Sequence, residues 1–437
     1  MADPLKAAVD SLAGRSDLLG WTAVQRHLRG EQLFSDRSHV EVRRSVEKNN
    51  ITIDVLCASD GDAAQCGAAR VMLNVGQEAG PAIEFAVRAA QRTRNPLYQL
   101  PGPASLPDVP TVDPEIVADP AAAATGLHDR LMRSSASQAA ARLTLAEWFV
   151  EHEESHLVNS RGIDAHQAHT RLSLEWIVLA GQGEGRVDTT FDMDRRRLAD
   201  LDVEGEWDRV AFQTADRERA QPAPSYDGPV VLRGSALETF LNSGTIGTLT
   251  SGKARFSRIS PWEPGISVFR GEVLGDPLTM WATRLIPYAE HAGRFDEEGL
   301  PGQRTLLIDR NIFQTYCASQ RYATYLSVPA TGASADLEVP PGATPQAELI
   351  ADPHVEVVSW SWFSPEPTTG DFASEIRLGY VVDGGSRRPF TGGLLVGNVL
   401  DALANVRWSS ETGFYGSYLG PTTARFGSLQ VTPSRDA

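Results

Sequence analysis

The chain has 437 residues, 41% of them hydrophobic and 22% charged, with a formal net charge of −16 at pH 7. That length exceeds one comfortable core and favours two domains of ordinary soluble composition. The acidic balance repels phosphate backbones, and the longest basic run, Arg195-Arg196-Arg197, reads as a solvated loop or helix face, so no nucleic-acid partner is expected. The first residues lack a basic start followed by an apolar stretch, so no signal peptide is expected, and nothing approaches the roughly 18 apolar residues of a membrane span. Cys57, Cys66 and Cys317 are odd in number and scattered, which suits reduced thiols in a cytoplasmic protein.

In chain order, residues 1–34 read as helical, from Leu5, Val9, Leu12, Leu19, Val24 and Leu28. Strands are expected at 40–43, 51–56 and 69–75, followed by a helix after Gly80-Pro81 with Ile83, Ala86, Val87 and Ala90 on one face. Residues 96–120, dense in Pro, Asp and Gly, read as an extended connector, and a helix follows over 121–143. Strands at 145–158 and 170–180 flank Asn159-Ser-Arg-Gly-Ile-Asp164, a hairpin turn. A mixed-charge segment beyond Glu184 carries no element assignment and leads to a boundary at Gln221-Pro-Ala-Pro-Ser225. The second half reads as strands between Gly, Pro and Asp turns, with helices at 235–241 and 396–405 and no internal repeat. The expected class is α+β: a mixed domain over 1–222 and a β-rich, mostly antiparallel domain over 223–437.

Two local motifs invite chemical readings. His152-Glu-Glu-Ser-His156 matches H-E-x-x-H, which grips zinc when helical because both rings then stack on one face. Here the flanks alternate as a strand does. Four extended residues span roughly 13 Å, and Glu153 points to the opposite face, so a polar strand without metal is expected. An independent zinc peptidase using His152, Glu153 and His156 remains the rival reading. Gly247-Thr-Leu-Thr-Ser-Gly-Lys253-Ala254 stops one residue short of a phosphate-binding loop, because Ala254 has no hydroxyl for magnesium.

The stretch His291–Gln303 carries Asp296, Glu297 and Glu298 in a Gly-bounded turn. Together with Gly228-Pro-Val-Val231, Thr331-Gly332, Thr369-Gly-Asp-Phe372 and Gly397-Asn-Val-Leu400, in this order, it resembles the TldD/PmbA family, the "modulator of DNA gyrase" proteins regarded as two-subunit metallopeptidases. The resemblance implies that a metal-binding subunit would carry H-E-x-x-x-H after the Pro229-Val-Val-Leu232 strand, and a cysteine ligand near the C-terminus. By ungapped counting, Asn242 and Gly247 stand at the histidines, Ser243 at the glutamate and Tyr415 at the cysteine. None is a strong zinc ligand. The resemblance therefore implies a TldE/PmbA-like subunit without catalytic residues, metal or cofactor of its own. A TldD-like partner would bring the zinc and form a heterodimer that processes unfolded or small modified peptides. It further implies a groove for extended peptide involving Asp296, Glu297, Glu298, Gly299, Thr369, Gly370 and Asp371. Aromatics such as Trp360, Trp362 and Phe414 are candidate anchors for the partner. The second rival is a non-enzymatic modulator of a topoisomerase.

Overall fold

Long antiparallel strands dominate the first half of the computed structural model, which describes residues 4–433 except 60, 61, 75, 138 and 139, and residue 184 without its side chain. Sequence readings that fall on 1–3, 75, 138, 139 and 434–437 lie outside the described residues. Strands β1 (Leu18–Asp36), β2 (His39–Ala58), β3 (Gln65–Asn74), β4 (Asn95–Pro96), β5 (Arg142–Asn159), β6 (Asp164–Ala180) and β7 (Val187–Arg195) form one seven-stranded sheet, ordered β4-β3-β2-β1-β5-β6-β7. The helices of this half are α1 (Pro4–Ala13), α2 (Ala79–Ala90), α3 (Pro114–Ala118), α4 (Pro120–Ala136) and α5 (Val203–Glu218).

The register places Leu33 beside Trp148, and Ala23 beside Val158, on the same sheet face. Helices α4 and α5 bury one end of that face, packing Leu127, Leu131, Trp207 and Val210 against Leu33, Trp148 and Trp176. The other end lies under α1 and α2, which cover Ala23, Ile53 and Val55. Between the two helical covers the face is polar: Gln25 pairs with His156, and His27 with Glu154.

Four readings of this half need correction. Residues 18–34 are not helical but belong to β1. Gly20 to Val24 are buried in succession, because helices cover one face and the second half of the chain covers the other, and this erases the period-two signal. The unassigned segment beyond residue 184 holds β7 and the 16-residue α5, where Asp202 accepts from Gly205 N at 3.0 Å and Trp207, Val210, Ala211 and Thr214 recur on the buried face. Arg195 and Arg196 do not form a solvated face; both are partly buried between the two halves. The helix read over 121–143 ends at Ala136, and β5 begins at Arg142.

From residue 221 onward two further sheets form. An eight-stranded sheet contains β8 (Gln221–Pro222), β9 (Tyr226–Arg233) and strands His354–Trp360, Asp371–Asp383, Ser386–Thr391, Leu394–Asn398, Val406–Trp408 and Thr423–Thr432. A six-stranded sheet contains Met280–Thr283, Arg304–Asp309, Ile312–Phe313, Asp336–Glu338, Thr412–Tyr415 and Tyr418–Pro421, with Thr412–Tyr415 at its edge. Pairing is mostly antiparallel; β8, β9 and Asp336–Glu338 each make one parallel pairing. Helices α6 (Ser235–Leu241) and α7 (Thr245–Leu249) follow β9, and Phe240 packs among Phe363, Phe372 and Phe426. The helix read over 396–405 is Val399–Ala404, because 394–398 is a strand and Asn398 caps the helix through Leu400 N and Asp401 N. The observed class is α+β, with a strand-rich second half.

The two halves meet through loops. Phe295 enters a cluster with Val24, Leu157, Ile163 and Ala165 on the back of the first sheet. Gly299 has φ +91°, and a Cβ there would stand 2.9 Å from Ile163 Cδ1 and 3.3 Å from Leu157 Cδ2. The connector threads the same joint: Asn159 Nδ2 donates to Pro101 O at 2.9 Å, Thr170 N to Thr111 O at 3.0 Å and Tyr288 N to Pro110 O at 2.9 Å. Asp336 is fully buried and accepts from His291 N at 3.0 and 3.2 Å. Burial raises its carboxyl from 3.8 to about 7, against the pull of that N–H and of Arg196 and Arg284.

Gly299→Ala should lower the thermal midpoint by more than Gly265→Ala, whose φ is also positive (+88°) but whose Cβ would meet nothing within 4 Å. Left-handed strain costs each about 1–2 kcal/mol, and only Gly299 adds a steric term. Equal losses would show that Gly299 does not lock the halves. For Asp336 the folded pKa lies above the ordinary one, so its contribution to stability is complete below about pH 4 and disappears as pH rises through about 7. Asp336→Asn cannot ionise and keeps an acceptor for His291 N–H. Its midpoint relative to the parent should therefore improve steadily between about pH 5 and about pH 8; a pH-independent difference would contradict this assignment.

Candidate functional site

The back of the first sheet and the loops of the second half enclose a cleft of about 260 Å³. One wall is His169 and Arg171 from β6 with Asp194, Arg195 and Arg196 from the end of β7; the other is Tyr288, Glu290, His291, Phe414 and Gly416. Most of the cations here are matched. Arg171 Nη2 meets Asp194 Oδ1 at 3.0 Å, and Arg196 donates to Ala292 O at 3.0 Å and to Glu290 O. Arg197 pairs with Asp200 and lies 4.5 Å from the Tyr288 ring centre. Arg195 differs: its Nη1 donates to Asp194 O at 2.8 Å, and it makes no ion pair among the described residues. Burial lowers its pKa, although Glu206, Glu238, Asp200 and Asp194 pull the other way. Burial, reinforced by Arg196, pushes His169 down to about 3, so its ring is neutral near pH 7. The cleft thus presents two guanidiniums without a carboxylate partner among the described residues, Arg195 and the carbonyl-bound Arg196, and a neutral imidazole.

The positions aligned with metal ligands border this cleft only in part. Asn242 ends α6 and donates through Nδ2 to Ser417 Oγ at 2.9 Å. Tyr415 lies on the edge strand, its ring 3.5 Å from where a Cβ on Gly234 would stand and stacked on Tyr418 at 6.5 Å. The neighbouring Ser417 N donates to Glu238 Oε1 at 3.2 Å, and burial raises Glu238 to about 6. Ser243 turns away, donating to Phe240 O at 2.7 Å, and Gly247 sits one helix further on, in α7, with open space where a side chain would be. Asn242, Tyr415 and the unforeseen Glu238 are therefore gathered around Ser417, while Ser243 and Gly247 are not. An amide, a phenol whose pKa burial raises further, and one carboxylate already accepting a backbone N–H do not fit zinc, which takes three or four imidazole, thiolate or carboxylate donors.

The other expected positions lie elsewhere. Asp296 is buried, and its Oδ1 accepts from Glu298 N at 2.9 Å and Leu300 N at 3.0 Å, closing its own turn. Glu298, raised to about 7 chiefly by burial and next by Asp296, accepts from Gln320 N at 2.6 Å and so caps helix Gln320–Leu326, whose own N-cap Ser319 makes no side-chain bond. Glu297 sits beside these two, and its charge acts on Arg70 and Arg284. Thr369 Oγ1 donates to Asp371 Oδ2 at 2.8 Å, Asn398 Nδ2 binds Asp371 Oδ1 at 2.8 Å, and Gly370 takes φ +83°. This turn packs on α7, since a Cβ on Gly370 would lie 3.4 Å from Thr245 Cγ2.

The His152–His156 segment is a strand, part of β5, as its alternation indicates. His152 is buried beside Arg29 and Thr170, and Glu153 faces the other way, toward Arg26 at 3.8 Å. Glu238, His169, His291 and Arg195 were not legible as a group. They come from four separated segments, of which the sequence singles out only the runs containing Arg195 and His291, and neither run points to the other.

Residues 225–433 match the family model of the PmbA/TldA metallopeptidase C-terminal domain. An uncharacterized protein of Methanocaldococcus jannaschii is 24% identical over 288 residues, spanning 62% of this chain and 66% of that protein, just under two thirds of its length. TldE from Thermococcus kodakarensis superposes with a TM-score of 0.82 at 18% identity, covering 98% of this chain and 100% of that one. A proposed modulator of a DNA gyrase from Thermotoga maritima gives 0.83 at 16% identity, covering 98% and 99%. At such identities the superpositions show a shared fold over nearly the whole chain, and the family match shows that residues 225–433 form a PmbA/TldA metallopeptidase C-terminal domain.

Proposed function

We propose that this chain is the subunit without catalytic metal in a two-subunit peptidase, placed beside a TldD-like partner that carries H-E-x-x-x-H. The observation that carries this reading is the identity of the residues at the ligand positions: Asn242, Ser243, Gly247 and Tyr415 offer no imidazole, thiolate or carboxylate. The chain's own contribution is to hold substrate. Strand Thr412–Tyr415 ends its sheet with one side unpaired among the described strands, and Phe414 and Gly416 line the cleft. An extended peptide added to that edge would bind through main-chain hydrogen bonds that read little sequence. Arg195, free of a carboxylate partner, would meet an acidic group of the peptide. The expected substrates are unfolded or small modified peptides, and the expected compartment is the cytoplasm; among the described residues no helix is long and apolar enough to cross a membrane.

The aromatic anchors sort by exposure. Trp360 donates through Nε1 to Ala236 O at 3.2 Å and packs on Phe363, whereas Trp362 is 49% exposed. Trp362→Ala should weaken the heterodimer by about 2 kcal/mol, roughly 30-fold, with the melting temperature of the isolated chain unchanged; Trp360→Ala should instead lower that temperature. The decisive measurement is hydrolysis of a disordered peptide by this chain alone, by the H-E-x-x-x-H subunit alone and by the two together, each supplied with zinc. Activity is expected from the pair and none from this chain alone. In the pair, Arg195→Ala should raise KM with little change in kcat. Hydrolysis by the isolated chain, or failure of the two subunits to associate, would refute the proposal.

A further inference from the structure

On the opposite face of the first sheet, between the two helical covers, lies a second and larger cleft of about 730 Å³. His27, Glu154, His156 and His166 line it, with the connector residues Val109–Val112 along one side and Arg294 at its rim. His156 on β5 and His166 on β6 are direct cross-strand partners across the hairpin. Their rings stack at 3.7 Å between centres with planes 25° apart. Asp164, at the start of β6, places Oδ1 2.7 Å from His156 Nε2 and 3.9 Å from His166 Nε2. All three donor atoms lie within 4.8 Å of one another.

From this geometry we propose that His156, Asp164 and His166 form a binding site for a borderline divalent transition cation, with Zn2+, Ni2+ or Cu2+ as its class. Ligands about 2.0–2.1 Å from a tetrahedral zinc stand about 3.4 Å apart, a spacing bracketed by the two distances to Asp164 Oδ1. Two imidazoles and one carboxylate select this class over magnesium and calcium, which take oxygen ligands. Ordinary surface pairing accounts for His156 with Asp164 but gives no reason for a second imidazole stacked on the first. The strand backbone fixes both imidazoles at adjacent positions, so binding requires only side-chain rotation. The remaining coordination positions open on the cleft. Arg294 donates to His166 O at 2.8 Å and adds a positive charge at the rim, which keeps the affinity moderate. The pair differs from the one that the H-E-x-x-H pattern suggests. His152 lies four register positions away on β5, buried beside Thr170, while the partner of His156 comes from the neighbouring strand.

The test uses the full chain with any affinity tag removed and adventitious metal stripped by chelator. Titration with zinc chloride should show one equivalent bound and a raised melting temperature, because a cation bound to the folded state alone stabilises it. Copper(II) should give an electron paramagnetic resonance spectrum with coupling to two imidazole nitrogens. His156→Gln and His166→Gln should each abolish the zinc-dependent shift, Asp164→Asn should weaken it, and His39→Gln, an exposed histidine at the far hairpin, should leave it intact. No binding, or binding unaffected by His156→Gln and His166→Gln, would overturn the site. Should His156→Gln lower the melting temperature equally with and without zinc, the cluster is a structural pair only and the proposal fails. The outcome is independent of the peptidase reading, which concerns the opposite face and the partner's metal.

Discussion

The whole arrangement rests on satisfying buried loop backbone where no ladder can do so. Between residues 284 and 303 the chain runs against the first sheet without a regular partner strand, so its N–H and C=O groups need other partners. Asp296 answers two amides with one carboxylate oxygen, and Gly302 N reaches Arg294 O at 2.8 Å. Arg284 Nη2 takes Phe295 O at 3.0 Å, Gln167 Oε1 takes Arg294 N at 3.1 Å, and Asp336 takes His291 N. Only a loop closed in this way can hold Phe295 in the apolar cluster of the opposite half and bring Glu290 and His291 to the wall of the cleft. The acids that draw the eye in the sequence are thus tied to architecture: Asp296 closes a turn and Glu298 caps a helix 22 residues away.

That explains what the sequence could and could not disclose. Local periodicity is legible in several elements with one face in water, although the amphipathic α5 escaped it. The hairpin around Asn159–Asp164 and helix α6 both appear where the pattern puts them, and the alternation through His152 marked a strand rather than a zinc helix. It failed at β1, which is sandwiched between helices and loops. There Leu19 is half exposed while Gly20 to Val24 are buried in an unbroken row, so a run of helical spacing formed by coincidence. Long-range assembly was legible only through the order of family motifs. Gly332 lies against Asp296, since a Cβ there would be 3.3 Å from Asp296 Oδ2, yet nothing local in either segment announces the other. The same limit hid Arg195: three consecutive arginines resemble a solvated run, and only the tertiary fold reveals that the first two enter the joint.

At the positions that the sequence resemblance sets against metal ligands, Asn242 and Tyr415 belong to an ordinary polar corner. Asn242, Ser417 and Glu238 bond to one another, and Tyr415 lies over the glycine turn that opens α6. Buried polar groups with partners supplied cost little, whereas the same pocket with one ligand restored would leave an unpaired donor in place of a metal site. The corner is therefore internally consistent without a cation. What it offers is shape: an edge strand unpaired on one side among the described strands, beside a cleft in which the Arg195 guanidinium has no carboxylate partner.

The two clefts share one structural element. Strands β5 and β6 carry His156 and His166 on one face, while His169 and Arg171, from the alternate positions of β6, wall the cleft on the other. Side chains three and five residues apart along one strand are separated by about 10 and 17 Å of rigid extended backbone. Nothing flexible intervenes between them, and the tip of the same hairpin packs on Gly299. A cation joining β5 to β6 would therefore resist twisting of the strand that aims Arg171 and His169 and of the hairpin that locks the two halves. The geometry of the smaller cleft and a cation on the histidine cluster would thus depend on the same pair of strands, each constraining the other through the backbone.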